Sequence, residues 1–281
     1  MSEEKQCDKC GTEGCSHDCS SCSSKGQPQD FHIDPSPRSH IKKMIGIVSG
    51  KGGVGKSFVT ATLASAMSKK GYRVGVLDGD ITGPSMAKVF GVTEKAMGDG
   101  ELILPAITST GIQLISTNML LDSDDQPIIW RGPMVAGILK QFYQEVYWDE
   151  VDYMFVDMPP GTSDVPLTAF QSLPLDGIIV VTSPQDLVSM VVEKAINMAK
   201  MMNVNILGLV ENMSYVECSN CNHKIYVFGE SHTGAIAEKY NLPVLAQIPL
   251  REGQANLADT GKVEEIEVPE LETVVNTIES L

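Results

Sequence analysis

The chain has 281 residues, 42% of them hydrophobic, enough for one large α/β domain with appendages. Its 36 Asp and Glu outweigh 21 Lys and Arg, and the net charge of −15 repels phosphodiester backbones and anionic headgroups, so neither nucleic-acid nor membrane partners are expected. No apolar run approaches the roughly 18 residues of a membrane span, and the opening Met-Ser-Glu-Glu-Lys-Gln lacks a secretory apolar stretch, so a cytoplasmic protein is expected.

Residues 1–40 hold five of the seven cysteines, Cys7, Cys10, Cys15, Cys19 and Cys22, among Ser, Gly, Asp and Lys. So few aliphatic residues cannot build a core. A cytoplasm keeps thiols reduced, so the clustering points to metal rather than disulfides. Pro28, Pro35 and Pro37 mark 25–39 as a linker. The expected organisation is a Cys-rich metal-binding extension with its linker over 1–40, then one folded domain over 41–281.

The first buried strand is expected at Ile45–Val48. It runs into Gly50-Lys51-Gly52-Gly53-Val54-Gly55-Lys56-Ser57, after which Val59, Leu63, Ala66 and Met67 recur at helical spacing. Gly-x4-Gly-Lys-Ser between a strand and a helix is a phosphate-binding loop. Its glycines let the backbone wrap closely around phosphates, and the helix N-terminus adds positive potential. Lys56 is expected on the β- and γ-phosphates of ATP and Ser57 on Mg²⁺. Lys51 is either a second phosphate contact or a solvated loop residue.

The strand Val74–Leu77 ends in Asp78-Gly79-Asp80, and Met154–Val156 ends in Asp157-Met-Pro-Pro-Gly161. Asp157 reads as the carboxylate of the Mg²⁺ shell. Asp80 is the candidate that positions the attacking water, Asp78 its helper, and Gly161 a switch whose N–H turns to the γ-phosphate. Each aspartate alone also suits a helix N-cap. Between these strands, Val135, Leu139, Phe142 and Val146 share helical spacing. Further strands are expected at Ile178–Val181, Ile206–Val210 and Val244–Ile248, with Met190, Met198, Met201 and Met202 on a helix and packed in the core. Continuous apolar runs in a βαβα order predict an α/β fold with a doubly wound, mostly parallel sheet.

Asn212, after the Ile206–Val210 strand, carries an amide suited to a base edge or to a turn. Pro249 and Arg251 follow the next strand and are candidates for the wall of the same pocket. Cys218 and Cys221 supply two thiolates where zinc or an iron–sulfur cluster takes four. A two-fold dimer doubles every ligand at its axis. A redox dithiol, or zinc completed by His223 and the N-terminal cysteines, are the alternatives.

The loop Gly50–Ser57, with its extra Lys51, is similar to the deviant Walker A of MinD, ParA and the nitrogenase iron protein. That resemblance implies a nucleotide-sandwich homodimer in which Lys51 reaches the partner's phosphates, and it implies an adenine contact for Asn212. From about Ile41 to Thr260 the chain resembles the Mrp/ApbC family of iron–sulfur cluster carrier ATPases. The shared stretches are Ser49–Ser57, Asp78–Ser85, Trp130–Met134, Asp157–Asp164, Ser183–Asp186, Glu211–Ser214 and Cys218-x-x-Cys221. The resemblance implies that Cys218 and Cys221 bridge a [4Fe–4S] cluster between two subunits, with slow ATP hydrolysis and apo iron–sulfur proteins as recipients. Thr82 and Val191 depart from the family pattern, as do the spacings of the five N-terminal cysteines. The rivals are a MinD- or ParA-like spatial regulator and a metal-insertion ATPase. A membrane-targeting regulator calls for a basic amphipathic tail, whereas Val263–Leu281 carries six Glu and no Lys or Arg.

Overall fold

The computed structural model describes residues 32–81, 83–120, 132–161, 164–218, 220–229 and 231–281. In chain order they form β1 (Ile41–Ser49), α1 (Lys56–Lys69), β2 (Val74–Asp78), α2 (Met86–Val89), β3 (Met97–Gly98), β4 (Ile103–Leu104), β5 (Ala106–Ile107), β6 (Gln113–Ile115), α3 (Gly132–Gln144) and β7 (Val151–Asp157). There follow α4 (Asp164–Ser172), β8 (Gly177–Thr182), α5 (Asp186–Met201), β9 (Ile206–Glu211), β10 (Val216–Glu217), β11 (Lys224–Ile225), α6 (Thr233–Tyr240), β12 (Val244–Gln247), α7 (Gln254–Asp259) and α8 (Glu272–Glu279).

The main sheet has the order β12-β9-β8-β1-β7-β2-β6-β5 and is parallel throughout, except that β5 pairs antiparallel with β6 at the edge. Strands covered on both faces have no solvent side, and β2 and β8 are buried along their whole length. Strand order reverses at β1, which lies between β7 and β8. Crevices at the C-terminal ends of strands at such a reversal are where α/β sheets bind ligands. Register places Asp78 directly opposite Asp157 and Ile47 opposite Asp157, so three strand ends converge on one carboxylate.

Three expectations change. Met190 and Met201 are 61% and 80% exposed on α5, so only Met198 and Met202 of that group pack against the core. Four residues in the 190–202 span exceed one helical stripe, and the surplus faces water. Val146 is buried but lies beyond α3, in a parallel bridge with Ile103. The last part of the expected linker lies against the body: Ser39 Oγ donates to Val146 O at 3.0 Å and accepts from Trp148 N at 2.9 Å.

Candidate functional site

The phosphate loop begins where β1 ends and hands over to α1. Gly53 and Gly55 have φ of +82° and +80°, values that favour glycine, and Gly55 caps the helix in that conformation. No acidic residue stands in the first turn of α1, so its positive end is left for an anion. Gly50 is packed tightly: a Cβ there would lie 2.6 Å from the backbone of Val191 on α5. This is where the departure at Val191 falls in the fold, against the entry to the loop.

Lys56 is only 6% exposed. Its Nζ lies 2.6 Å from Asp157 Oδ2 and 3.9 Å from Asp80 Oδ2. The first distance is that of an ion pair, yet among the described residues the ammonium has no well-aligned hydrogen-bond acceptor. A buried cation left so is oriented for a further oxygen ligand. Asp157 is fully buried and accepts from Ser57 Oγ and Thr60 Oγ1, each at 2.7 Å. Ser57 and Asp157 are thus adjacent hard oxygen donors, a set that suits Mg²⁺. Lys51, by contrast, is exposed.

Asp78 is fully buried and anchors the segment after β2. Its Oδ2 accepts from Ser116 Oγ at 2.8 Å, Met86 N at 3.1 Å and Ser85 N at 3.2 Å, and its Oδ1 accepts from Asp80 N at 3.2 Å. Burial, and then the charge of Asp157, push its carboxyl up to about 7. Asp78 therefore touches Asp80 directly. Gly161 has φ of +92°, and its N–H, expected to face a phosphate, donates to Ser49 O at 2.9 Å. Any switch there has to break that bond.

Asn212, expected at a base edge, is 5% exposed and donates from Nδ2 to Val54 O at 3.0 Å, inside the phosphate loop. One amide proton is thereby committed to the loop backbone. Arg251 is held by Glu270, with Nη1 at 3.1 Å from Oε2, and Pro249 precedes it after β12.

Cys218 and Cys221 sit in the turn between β10 and β11, where Cys218 N donates to His223 O and Asn222 N to Cys218 O. Cys221 is exposed and Cys218 half-buried. The backbone N–H groups of Asn220 and Cys221, and then the Cys221 side chain, hold the Cys218 thiol below its ordinary range. Amides aimed at sulfur favour the thiolate, which is the metal-binding form. Among the described residues no group of three His, Cys, Asp or Glu converges. Ile225, Tyr226, Val227 and Phe228, on the same hairpin, are exposed apolar residues. Cys7, Cys10, Cys15, Cys19, Cys22, Thr82 and Trp130 lie outside the described residues.

Sequence reasoning missed Glu211. It is fully buried and surrounded by Ser214, Ser231, Thr233 and Gln247. A charged residue ending an apolar strand was the available signal.

Residues 40–280 match the ParA family description "NUBPL iron-transfer P-loop NTPase". An iron-sulfur cluster carrier protein of Clostridium perfringens is 47% identical over 234 residues, covering 80% of this chain and 82% of that one. Another, from Methanocaldococcus jannaschii, is 42% identical over 258 residues, covering 88% and 89%. Among solved structures, a nucleotide-binding protein from Archaeoglobus fulgidus in complex with ADP superposes with a TM-score of 0.74 at 41% identity, over 83% of this chain and 91% of that one. The cell division ATPase MinD of Pyrococcus furiosus shares the fold, with a TM-score of 0.59 at 21% identity over 84% and 97%.

Proposed function

The chain belongs to the ParA family of NUBPL iron-transfer P-loop NTPases, and from that premise we propose that it is an ATP-dependent carrier that holds [4Fe–4S] clusters and passes them to apo-proteins. The observation that carries this reading is the thiol pair. Cys218 and Cys221 stand on a solvent-facing hairpin, with backbone amides favouring the thiolate, in a chain whose sheet also presents a complete phosphate loop. The relatives named as carrier proteins support the same reading.

In this mechanism the amides of Gly50–Gly55 and the Lys56 ammonium take the β- and γ-phosphates, and Lys56 exchanges its contact with Asp157 for phosphate oxygens. Ser57 and Asp157 hold Mg²⁺, which when bound neutralises charge on the β- and γ-oxygens. Asp80 accepts a hydrogen bond from the attacking water, and Asp78 holds the Asp80 backbone. The water oxygen bonds to the γ-phosphorus as the bond to the ADP oxygen breaks. Lys51, exposed and unconstrained by burial, is supplied across a homodimer, as a cation in trans. Gly161 gives up Ser49 for the γ-phosphate, and Asn212, Pro249 and Arg251 flank the base.

Two thiolates per chain fall short of the four that a [4Fe–4S] cluster takes, and a two-fold axis supplies the rest. The exposed apolar strip Ile225–Phe228 beside the cysteines favours a second copy packing there. The five N-terminal cysteines form a separate metal-binding extension in this reading. The net charge of −15 disfavours nucleic-acid and membrane partners in this cytoplasmic reading, and no described helix is long and apolar enough to cross a membrane.

The test is transfer. Chain in which Cys7, Cys10, Cys15, Cys19 and Cys22 are replaced by Ser, reconstituted anaerobically with iron and sulfide, should activate an apo-[4Fe–4S] enzyme, and the same chain with Cys218→Ala and Cys221→Ala added should bind MgATP but activate nothing. Equal activation by the double variant would refute the carrier reading.

A further inference from the structure

Glu211 and Asn212 are neighbours at the end of β9, yet they serve two different parts of the molecule. Asn212 reaches the phosphate loop: its Nδ2 donates to Val54 O at 3.0 Å, and a Cβ on Gly55 would lie 2.1 Å from that nitrogen. Its own N–H donates to Thr182 O at 2.8 Å, so the residue has little slack.

Glu211 reaches the other way. Its Oε1 accepts from Ser214 Oγ at 2.6 Å and Gln247 Nε2 at 3.1 Å, and its Oε2 accepts from Ser231 Oγ and Thr233 Oγ1. Ser214 leads into the β10–β11 hairpin that carries the cysteines, whereas Ser231 and Thr233 lie on the way out of it and into α6. One carboxylate therefore ties both stems of the cysteine hairpin to the end of β9. The entering stem is fixed again by Ser214 N to Ile248 O at 2.9 Å and Leu250 N to Tyr215 O at 2.8 Å.

Burial alone requires that a carboxylate find donors. It does not require that they come from the two stems of one loop, or that the next residue hold the phosphate loop. We propose that Glu211 and Asn212 form a positioning junction that couples nucleotide in the phosphate loop to the geometry of the Cys218–Cys221 pair. This rests on the carrier reading above, because only there does such coupling serve a purpose. Phosphates reorient the loop amides, including the peptide that presents Val54 O. Asn212 either follows or lets go, and Glu211 transmits the difference because both stems hang from it. The pair is a physical connection between two sites that nucleotide can bias, which is what coupling demands.

The test reads the thiols without needing iron. In the full chain, iodoacetamide modification of Cys218 and Cys221 is followed by peptide-resolved mass spectrometry, with and without MgATP. In the wild type MgATP should change the modification rate by at least about fivefold, the lower end of common couplings. Glu211→Gln and Thr233→Val should bring that ratio close to one while MgATP affinity stays within about twofold, and Thr233→Ser, which keeps the hydroxyl, should restore it. Thr233→Val removes one hydroxyl at nearly constant volume and so serves if Glu211→Gln does not fold. A ratio of one in the wild type, or an unchanged ratio in Thr233→Val, would overturn the junction. Iron content after reconstitution is measured in parallel: a chain that takes up no iron but keeps the ratio refutes the carrier reading and leaves the coupling intact.

Discussion

Lys56 stands between the carboxylates of Asp157 and Asp80, and its removal acts on both folding and binding. Lys56→Ala should abolish MgATP binding by calorimetry. It should also lower stability by about 3–5 kcal/mol, because Asp157 is left buried without its cation. Lys51 is exposed, so Lys51→Ala should leave stability within about 0.5 kcal/mol of the wild type. It should keep MgATP binding yet lose hydrolysis by about 10³-fold, the scale of a cation supplied in trans. Hydrolysis at the wild-type rate would end the trans-lysine mechanism. Asp78 gives a pH signature. Its carboxyl is raised from 3.8 to about 7, so the folded chain holds that proton more tightly than the unfolded chain. The stability it confers is present below pH 3.8 and is lost as pH rises towards about 7. Urea unfolding of wild type and Asp78→Asn across that window should show the difference moving towards the variant by a few kcal/mol. A constant difference would mean that Asp78 does not hold the proton.

At the scale of elements, the entry to the phosphate loop depends on how closely β1 and α5 approach. Gly50→Ala would place a methyl 2.6 Å from the Val191 backbone, which no side-chain rotation relieves. Overpacking of this kind should lower the unfolding free energy by about 1–3 kcal/mol, read as a lower urea midpoint. A wild-type midpoint would show that the helix yields freely. The long strands were legible because Ile45–Val48, Val74–Leu77 and Ile178–Val181 are unbroken apolar runs, and two-sided burial demands such runs. The short pairs β3–β4 and β10–β11 have two residues per strand, too few for any period, and β6 has three. The phosphate loop and the two aspartate-ended strands were legible as motifs, and the sheet brings Asp78, Asp80, Asp157 and Lys56 together. The bond from Asn212 to Val54 is made by tertiary packing across 158 positions, which local spacing does not encode. Glu211 escaped for the same reason: its partners come from β12, from the arm before the hairpin and from the segment after it.

Across the whole molecule, two constellations share one end of a parallel sheet: a phosphate loop at the strand-order reversal and, beyond β9, a hairpin with two exposed-to-half-buried thiols. On the proposed function the chain carries two of the four thiolates that a [4Fe–4S] cluster takes, so stoichiometry tests that proposal. The decisive measurement is iron, acid-labile sulfide and native mass on the full chain after anaerobic reconstitution, with Cys7, Cys10, Cys15, Cys19 and Cys22 each replaced by Ser. Four thiolates from two chains predict about two iron and two sulfide per chain, with all of the iron in a dimer and none left in the Cys218→Ala, Cys221→Ala variant. A colourless chain that holds zinc, or a monomer that carries four iron, would contradict the bridging cluster.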